Sequence, residues 1–228
     1  MLKSLIALFL ESNCPLCDRT AAREIICNSC KDRLSRSQIK GKSWHERKDI
    51  PIFAWGNYGG ELKRAIAAVK YQNCPELGEL MGLWLGRAWC DAIGYSRAKK
   101  MIVVPIPIHP KKLKQRGYNQ AESIGRGFCK FTGYPMRSRG LKRKKYTKAM
   151  FDLTPQQRQE NIKSAFVIGG EFDKQPPRSP VILIDDICTT GNTLAEAAKI
   201  LRDRGIEVFG AATVSITSTG SNNLKIYQ

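Results

Sequence analysis

The sequence predicts an α/β protein with a mainly parallel, doubly wound sheet, preceded by a small cysteine-rich module. Short apolar strands alternate with amphipathic helices from about residue 100 onward, which is typical of βαβ units. Four of the eight cysteines form two CxxC pairs near the N-terminus. The 228 residues, 42% of them hydrophobic, are enough for one full-sized core with a small appendage and exclude a disordered chain.

The two cysteine pairs, CPLC and CNSC, are separated by nine residues. Two such knuckles on either side of a short loop suit four thiolates around one tetrahedral zinc ion. Disulfides are the alternative, but no export signal supports an oxidising compartment. We therefore predict a closed, structural zinc site with four ligands, which are Cys14, Cys17, Cys27 and Cys30.

The first ten residues, MLKSLIALFL, predict an amphipathic docking helix rather than a cleaved signal peptide. Their apolar run is shorter than a signal-peptide core, and no small-residue cleavage site follows before Cys14. No other stretch approaches the 18 or so apolar residues of a membrane span. We expect a cytoplasmic protein without an integral membrane segment, able to associate peripherally with the inner face of the membrane.

The first half of the chain predicts a linker followed by a strand and two helices. Residues 31–50 are polar and basic and indicate a linker or a loose edge of the zinc module. This places a domain boundary after residue 50, with a helix and zinc ribbon in 1–50 and a second domain in 51–228. An aromatic strand then precedes a helix with Leu62, Ile66 and Val69 on one face, and a further helical stretch follows.

The second half supplies the alternating elements. A β-branched run halted by prolines, MIVVPIPIHP, predicts a buried strand that ends in a loop. We predict a helix over 119–131, a short strand over 165–168 and another strand over 181–184. The helix after that strand ends near Gly205, and a last strand closes the unit.

The segment VILIDDICTTGNT places two acids at the carboxyl end of an apolar strand and a polar loop before the next helix. Ligands of such sheets bind beyond the carboxyl ends of the strands. The free N–H groups of a helix start attract anions, whereas carboxylates suit ribose hydroxyls or a magnesium ion. The segment therefore predicts a ribose 5-phosphate site formed by Asp185, Asp186, Cys188, Thr189, Thr190, Gly191, Asn192 and Thr193. The alternative is an ordinary turn in which Thr193 caps the helix.

This segment resembles the phosphoribosyl pyrophosphate (PRPP) motif of type I phosphoribosyltransferases, and the wider pattern is similar to the ComF family. The similarity includes both CxxC pairs, YGGELKRAIAAVKY, VPIPIHPKKLKQRGYNQAE and QQRQENIKSAF. It implies a zinc ribbon joined to a phosphoribosyltransferase-like domain that binds PRPP with magnesium. It also implies a role in the uptake of transforming DNA, binding of single-stranded DNA and a competence helicase as partner. One departure is Met150, where the family often has Gln.

On the family pattern, the loop over 107–118 faces the pyrophosphate of PRPP. Pyrophosphate oxygens accept hydrogen bonds from Lys and Arg side chains. The resemblance therefore implies a pyrophosphate contact for Lys111, Lys112 and Arg116. The alternative for each lysine is a solvated surface charge.

Most of the formal charge of +18 lies between residues 97 and 148, where sixteen Lys or Arg residues accompany one acid. Aromatic residues are interleaved with them, as in proteins that bind single strands. We predict contacts with single-stranded DNA from Arg139, Lys142, Arg143, Lys144, Lys145 and Lys148. The same segment occupies the place of the flexible hood of type I transferases, and a solvated basic face is the third interpretation.

The sequence leaves three functions open. The first is a competence protein that binds single-stranded DNA and PRPP. The second is an active phosphoribosyltransferase that transfers ribose 5-phosphate from PRPP and releases pyrophosphate. The third is a regulator that senses PRPP without chemistry, since a transferase fold can bind without catalysing. The sequence shows no recognisable nucleobase-specificity region. Both acids are present, however, and so is the polar loop over 189–193, called here the donor loop, that catalysis needs.

Overall fold

The computed structural model describes residues 13–41, 43–94, 100–144 and 165–218. Its main sheet has five strands in the order β1-β2-β7-β6-β3, and β4 and β5 form a separate two-stranded ribbon. The strands are β1 (Trp44–Arg47), β2 (Ile50–Asn57), β3 (Ile102–Pro105), β4 (Leu141–Arg143), β5 (Phe166–Ile168), β6 (Val181–Cys188) and β7 (Val208–Ile216). The helices are α1 (Asn28–Ser35), α2 (Gly60–Tyr71), α3 (Pro75–Ile93), α4 (Pro110–Arg116), α5 (Gln120–Thr132), α6 (Gly170–Lys174) and α7 (Asn192–Arg202).

The main sheet is parallel except for its edge strand β1, which pairs antiparallel with β2. The predicted mainly parallel α/β fold is confirmed. Strand β6 lies between β3 and β7, and successive side chains enter opposite faces of the sheet. Ile182 and Ile184 belong to the core on the side of α2, α3 and α5, whereas Val181 and Leu183 belong to the core under α7. Helices on both faces explain why the strand sequence is continuously apolar.

The N-terminal cysteine module packs on α2. Its buried residues belong to the same hydrophobic core as that helix. Polar contacts reinforce the docking: Arg33 Nε lies 3.6 Å from Glu61 Oε1, and Arg64 Nη2 donates to the carbonyl oxygen of Leu16 at 2.7 Å. One face of α2 therefore holds the module in place.

The segment over 31–50, which the sequence predicts to be a linker, instead contains the end of α1 and the whole of β1. Trp44 explains the difference, because it pairs with Phe53 across the hairpin and its ring centroid lies 5.3 Å from that of Trp89. Burial of this indole outweighs the polar character of its neighbours. The division after residue 50 stays a prediction and falls within this hairpin.

The predicted N-terminal docking helix lies outside the described residues. Among the helices that the structure describes, none combines the length and the apolar character needed to cross a membrane.

Candidate functional site

Two adjacent carboxylates mark the carboxyl end of β6. Asp185 and Asp186 are only 9% and 5% exposed. Asp186 Oδ2 lies 2.5 Å from Lys70 Nζ, and its Oδ1 accepts a hydrogen bond from Gln120 Nε2 at 3.3 Å. Side chains from α2 and α5 thus meet the end of β6, and Asp186 is oriented by both.

The two acids differ in their electrostatic surroundings. Burial raises the pKa of Asp185 well above its ordinary value, and the charge of Asp186 adds to the effect. Burial alone would also raise the pKa of Asp186, but the charge of Lys70 together with side-chain hydrogen bonds to Asp185, Lys70 and Gln120 holds that pKa below its ordinary value. Asp186 is therefore the ionised member of the pair, and Asp185 is the one that readily holds a proton.

Four cations surround this end of the sheet. Lys112 is half-buried, and burial followed by the charges of Arg143, Arg116 and Lys70 lowers the pKa of its ammonium. Arg143 comes from β4, interacts electrostatically with Asp185, and places its guanidinium carbon 5.2 Å from the ring centroid of Phe166. Mutually repelling cations held together in this way favour a ligand with several phosphate oxygens.

The segment over 107–118, predicted as a loop, contains the short helix α4. His109 caps its start by accepting a hydrogen bond from the backbone N–H of Lys111 at 3.1 Å, and Gly117 ends it in the left-handed conformation with φ of 85°. The helix separates the predicted pyrophosphate residues. Lys112 is half-buried and interacts electrostatically with Arg116 and the other cations, whereas Lys111 is exposed.

The RGYNQ segment at 116–120 connects the cations to the acids. Arg116 donates to the side-chain oxygen of Gln120, which in turn bonds Asp186. The Tyr118 hydroxyl donates to the carbonyl oxygen of Val69, in the last turn of α2. The motif therefore has a structural role: Arg116 and Gln120 connect to Asp186, and Tyr118 connects to the end of α2.

The donor loop after β6 starts helix α7 at Gly191, whose φ is 79°. A Cβ atom at this position would lie 2.5 Å from Cβ of Arg47, a β1 residue that donates to the carbonyl oxygen of Thr217 at 3.2 Å. Thr193 lies inside the first turn of α7, so the alternative in which Thr193 caps the helix is wrong. Because the cap residue is glycine, it offers no side chain to the first N–H groups of the helix, which favours an anion there.

The other predicted residues of this loop surround the helix start. Thr189 and Thr190 are exposed, and Asn192 and Thr193 are half-buried. Cys188 is buried, which raises the pKa of its thiol to about 12. It acts as a packing residue under the loop, and the hydroxyl and backbone groups around it are the potential donors.

The described residues among those predicted to bind single-stranded DNA do not all face the same way. Arg139, Lys142 and Lys144 are exposed. Arg143, in contrast, is directed to the site around Asp185 and Asp186, called here the acid site, because side chains alternate along β4. Two further residues of the prediction, Lys145 and Lys148, lie outside the described residues.

Two side chains of the acid site, Lys70 and Gln120, were not singled out from the sequence. The signal for Lys70 was available, since Leu62, Ile66 and Lys70 recur every four residues and therefore share one helix face. A lysine on the apolar face of a helix requires a buried partner. Nothing in the sequence alone identifies that partner as Asp186.

The four cysteines of the N-terminal module form a metal-binding geometry. The sulfur atoms of Cys14, Cys17, Cys27 and Cys30 all lie within 4.8 Å of one another. The Cys17 and Cys27 sulfurs are 3.5 Å apart, close to the ~3.8 Å expected between sulfurs of a tetrahedral site with Zn–S bonds of about 2.3 Å. Arg33 Nη2 donates to the Cys30 sulfur at 3.0 Å. This set fits a structural zinc ion, which these thiolates could hold.

Comparison with known proteins agrees with the fold and the motif. Residues 142–223 match the family model described as "Phosphoribosyl transferase domain". The chain is 31% identical to competence protein F of Haemophilus influenzae over 67% of this chain and 66% of that protein. It is 24% identical to competence protein ComFC of Bacillus subtilis over 84% and 72% of the two chains. It is 27% identical to DNA utilization protein YhgH of Escherichia coli O157:H7 over 89% and 87%.

The sheet, the strand-end acids and the matched domain define a protein with a phosphoribosyltransferase-like domain, and the cysteine cluster adds an N-terminal metal-binding module. The alignment with competence protein F spans just under two thirds of that protein. Similarity to competence protein F and to ComFC, together with the matched phosphoribosyl transferase domain, shows that the chain belongs to the ComF family.

Proposed function

We propose that this protein acts in DNA uptake and processing, and that it binds PRPP through the acid site and single-stranded DNA through its basic surface. The observation that carries the PRPP proposal is the buried acid pair of β6, ringed by four cations and adjoining the glycine-capped start of α7. The acids can accept hydrogen bonds from ribose hydroxyls, the N–H groups can bind a phosphate, and the cations can bind a pyrophosphate. These three groups of residues match the three parts of one ligand, PRPP.

Each part of PRPP has a matching group of residues. The acids accept hydrogen bonds from ribose hydroxyls, and the loop before α7 receives the 5-phosphate at its N–H groups. Lys112, Arg116 and Arg143 neutralise the pyrophosphate. Magnesium, which prefers oxygen ligands, would be held by Asp185 together with ligand phosphates and would supply further neutralisation of charge.

The DNA part of the proposal rests on charge and on the names of relatives. Lys142 on β4 and Lys144 just after it are exposed and flank Arg143, whose charge interacts with Asp185. One strand thus connects a potential DNA surface to the PRPP site. The names "Competence protein F" and "DNA utilization protein YhgH" agree with a role in handling incoming DNA. A competence helicase is the partner that the family resemblance suggests.

Phosphoribosyl transfer is the second candidate function, and one observation favours it. Burial raises the pKa of Asp185 well above that of an ordinary carboxyl group, and a raised pKa makes a carboxylate a stronger general base. Asp185 can therefore take a proton from an acceptor nucleophile while the pyrophosphate group leaves toward the surrounding cations. The acceptor would enter beside the acids.

Calorimetric titration with PRPP, with and without magnesium, tests the binding proposal. We expect magnesium-dependent binding by the zinc-loaded protein, and pyrophosphate alone should bind more weakly because it does not engage the acids. Failure of PRPP to bind under both conditions would overturn the proposal. Release of pyrophosphate from PRPP in the presence of a panel of nucleobases would establish the transferase activity.

A further inference from the structure

A second charged site lies at the opposite end of the sheet from the acids. It is a cleft of about 1060 Å³, called here the basic cleft and lined by Arg137, Arg139, Lys174 and Arg178 together with Glu171 and Phe172. Ile102, the first residue of β3, also lines it and pairs with Val181. Asp185 follows Val181 by four residues, so the basic cleft begins roughly 13 Å along the strand direction from the acids.

Acidic side chains in the described part of the chain leave most of the positive charge of the basic cleft unpaired. Its four cationic side chains are exposed, and in the described part of the chain none of them forms an ion pair. The one carboxylate, Glu171, accepts a hydrogen bond from the backbone N–H of Arg139 at 2.7 Å. Nearby Arg204, by contrast, pairs with Asp173. Four cations and one engaged acid leave a site that attracts anions.

The fold holds these cations on a rigid frame. Backbone hydrogen bonds of 2.9 Å join Val103 on β3 to Pro135 and Arg137, so the chain after α5 runs along the edge strand. The turn that follows is fixed to the start of α6 by the bond from Gly169 N to the carbonyl oxygen of Gly140, also 2.9 Å. Phe172 is buried beneath the cleft. Arg137 and Arg139 therefore project from a segment that needs little reorganisation to bind a ligand.

The shape of the basic cleft selects among anions. Its volume reaches the upper end of the range for small-molecule pockets, and its cations come from two separate chain segments, 137–139 and 174–178, rather than from one phosphate-binding loop. Arg139 also leads directly into β4, and Lys142 on that strand and Lys144 just after it are exposed. An extended polyanion can contact both groups, whereas a single phosphate cannot.

We propose that the basic cleft binds the phosphodiester backbone of single-stranded DNA, which continues over the exposed lysines of β4. This inference rests on the proposed DNA binding and gives it a location. It assigns contacts to Lys174 and Arg178, which lie outside the basic segment over 97–148, and to Arg137, which lies within that segment but is not among the predicted DNA contacts. DNA and PRPP then occupy opposite ends of the sheet and do not compete for one site.

The test compares two triple variants that lose the same charge. The cleft variant carries Arg137→Ala, Arg139→Ala and Arg178→Ala. The control carries Lys63→Ala, Lys130→Ala and Arg202→Ala, three exposed cations outside the cleft. Fluorescence anisotropy with a labelled 20-nucleotide thymidine oligonucleotide, at several salt concentrations between 50 and 200 mM, measures affinity and its salt dependence.

We expect the cleft variant to bind the oligonucleotide about 200-fold more weakly at 50 mM salt and about tenfold more weakly at 200 mM. The slope of log affinity against log salt should fall by about 2, since each phosphate contact of a single strand contributes about 0.7. The control should change much less, and both variants should keep the PRPP affinity of the natural sequence. A further variant, with Lys at all three cleft positions, should retain most of the affinity, which separates charge from folding.

Two results would overturn the location, and a third would overturn its basis. Equal loss in the cleft variant and the control would show that only net charge matters. If inorganic tripolyphosphate binds at the cleft but the cleft substitutions leave DNA binding unchanged, the cleft is a site for small anions and not for DNA. If the unaltered protein does not bind the oligonucleotide at all, the proposed DNA binding itself fails, whatever the variants do.

Discussion

Lys70 and Asp186 form an ion pair, with Nζ of the lysine 2.5 Å from Oδ2 of the aspartate. Their side chains are 22% and 7% exposed, so the pair is largely shielded from water. It connects the last turn of α2, whose first half holds the cysteine module, to the strand end that carries the candidate ligand site. The pair therefore contributes both to stability and to the orientation of an acid that we expect to contact ligand.

Replacing Lys70 with Ala should destabilise the protein by about 2–3 kcal/mol, because it leaves a buried carboxylate without its cation. The folded-state pKa of Asp186 lies below its ordinary value because of Lys70, so its stabilising effect is present at neutral pH and is lost as the pH falls through that pKa. The loss caused by Lys70→Ala should therefore be larger at pH 7 than in acid. Urea denaturation at both pH values measures it.

The same helix provides the control. Lys63→Ala removes an exposed lysine of α2 and should change stability by less than about 0.5 kcal/mol. The double variant Lys70→Ala with Asp186→Asn should recover part of the loss, since no uncompensated charge remains. Equal stability of the Lys70→Ala and Lys63→Ala variants would mean that the ion pair contributes nothing measurable.

Asp185→Asn should stabilise the protein above the pKa of Asp185, by about 0.5–2 kcal/mol, while weakening PRPP binding. Burial raises the folded-state pKa of this carboxyl group. The contribution of Asp185 to stability is therefore full below its unfolded-state pKa of about 3.9 and is lost as the pH rises through its folded-state pKa. The advantage of the variant should shrink as the pH approaches 4. A variant less stable than the natural sequence at pH 8 contradicts this account.

Gly191→Ala should destabilise the protein more than Gly205→Ala does. Both glycines have positive φ, 79° and 74°, but a Cβ atom would meet Arg47 at 2.5 Å in the first case and open space in the second. Both variants carry the strain of a left-handed alanine, about 1 kcal/mol, and only the first also displaces β1 from the donor loop. Melting temperatures and PRPP affinities of the two variants give the comparison, and equal effects would remove Arg47 from the explanation.

The purified protein should contain one zinc ion per chain, and a strong chelator should lower its melting temperature. Zinc binding and folding of the module are coupled, and the module shares its core with α2. Cys14→Ser should abolish stoichiometric zinc, whereas Cys129→Ser, a substitution on α5 away from the cluster, should leave it unchanged. Full zinc content in the Cys14→Ser variant would contradict the four-thiolate site.

Periodicity and motif spacing predict most of the helices and parallel strands, because β6 is an apolar strand buried on both faces and α7 has one apolar face with helical spacing. They fail at β1, where the deciding interaction is the packing of Trp44 on Trp89, two residues that are distant in the chain. They also fail at α4, where His109 and Gly117 delimit a short helix within a basic stretch.

The candidate site is predictable to a similar extent. The acids and the donor loop are contiguous in the sequence, so their proximity follows from one strand and one turn. Lys70 and Arg143 reach the acids only through tertiary structure, from helix α2 and the β4–β5 ribbon. Charge alone assigns Arg143 to a DNA surface, since nothing local shows that its neighbours Lys142 and Lys144 are on the opposite side of the strand.

The most direct test of the central claim measures two affinities of one variant, Asp185→Asn with Asp186→Asn, for PRPP with magnesium and for a single-stranded oligonucleotide at fixed salt. A surface variant, Asp173→Asn, serves as control. We predict that the double variant loses PRPP binding and keeps the oligonucleotide affinity of the natural sequence. Unchanged PRPP binding, or equal loss of both ligands, would show that the two acids support the fold and do not hold a ribose phosphate.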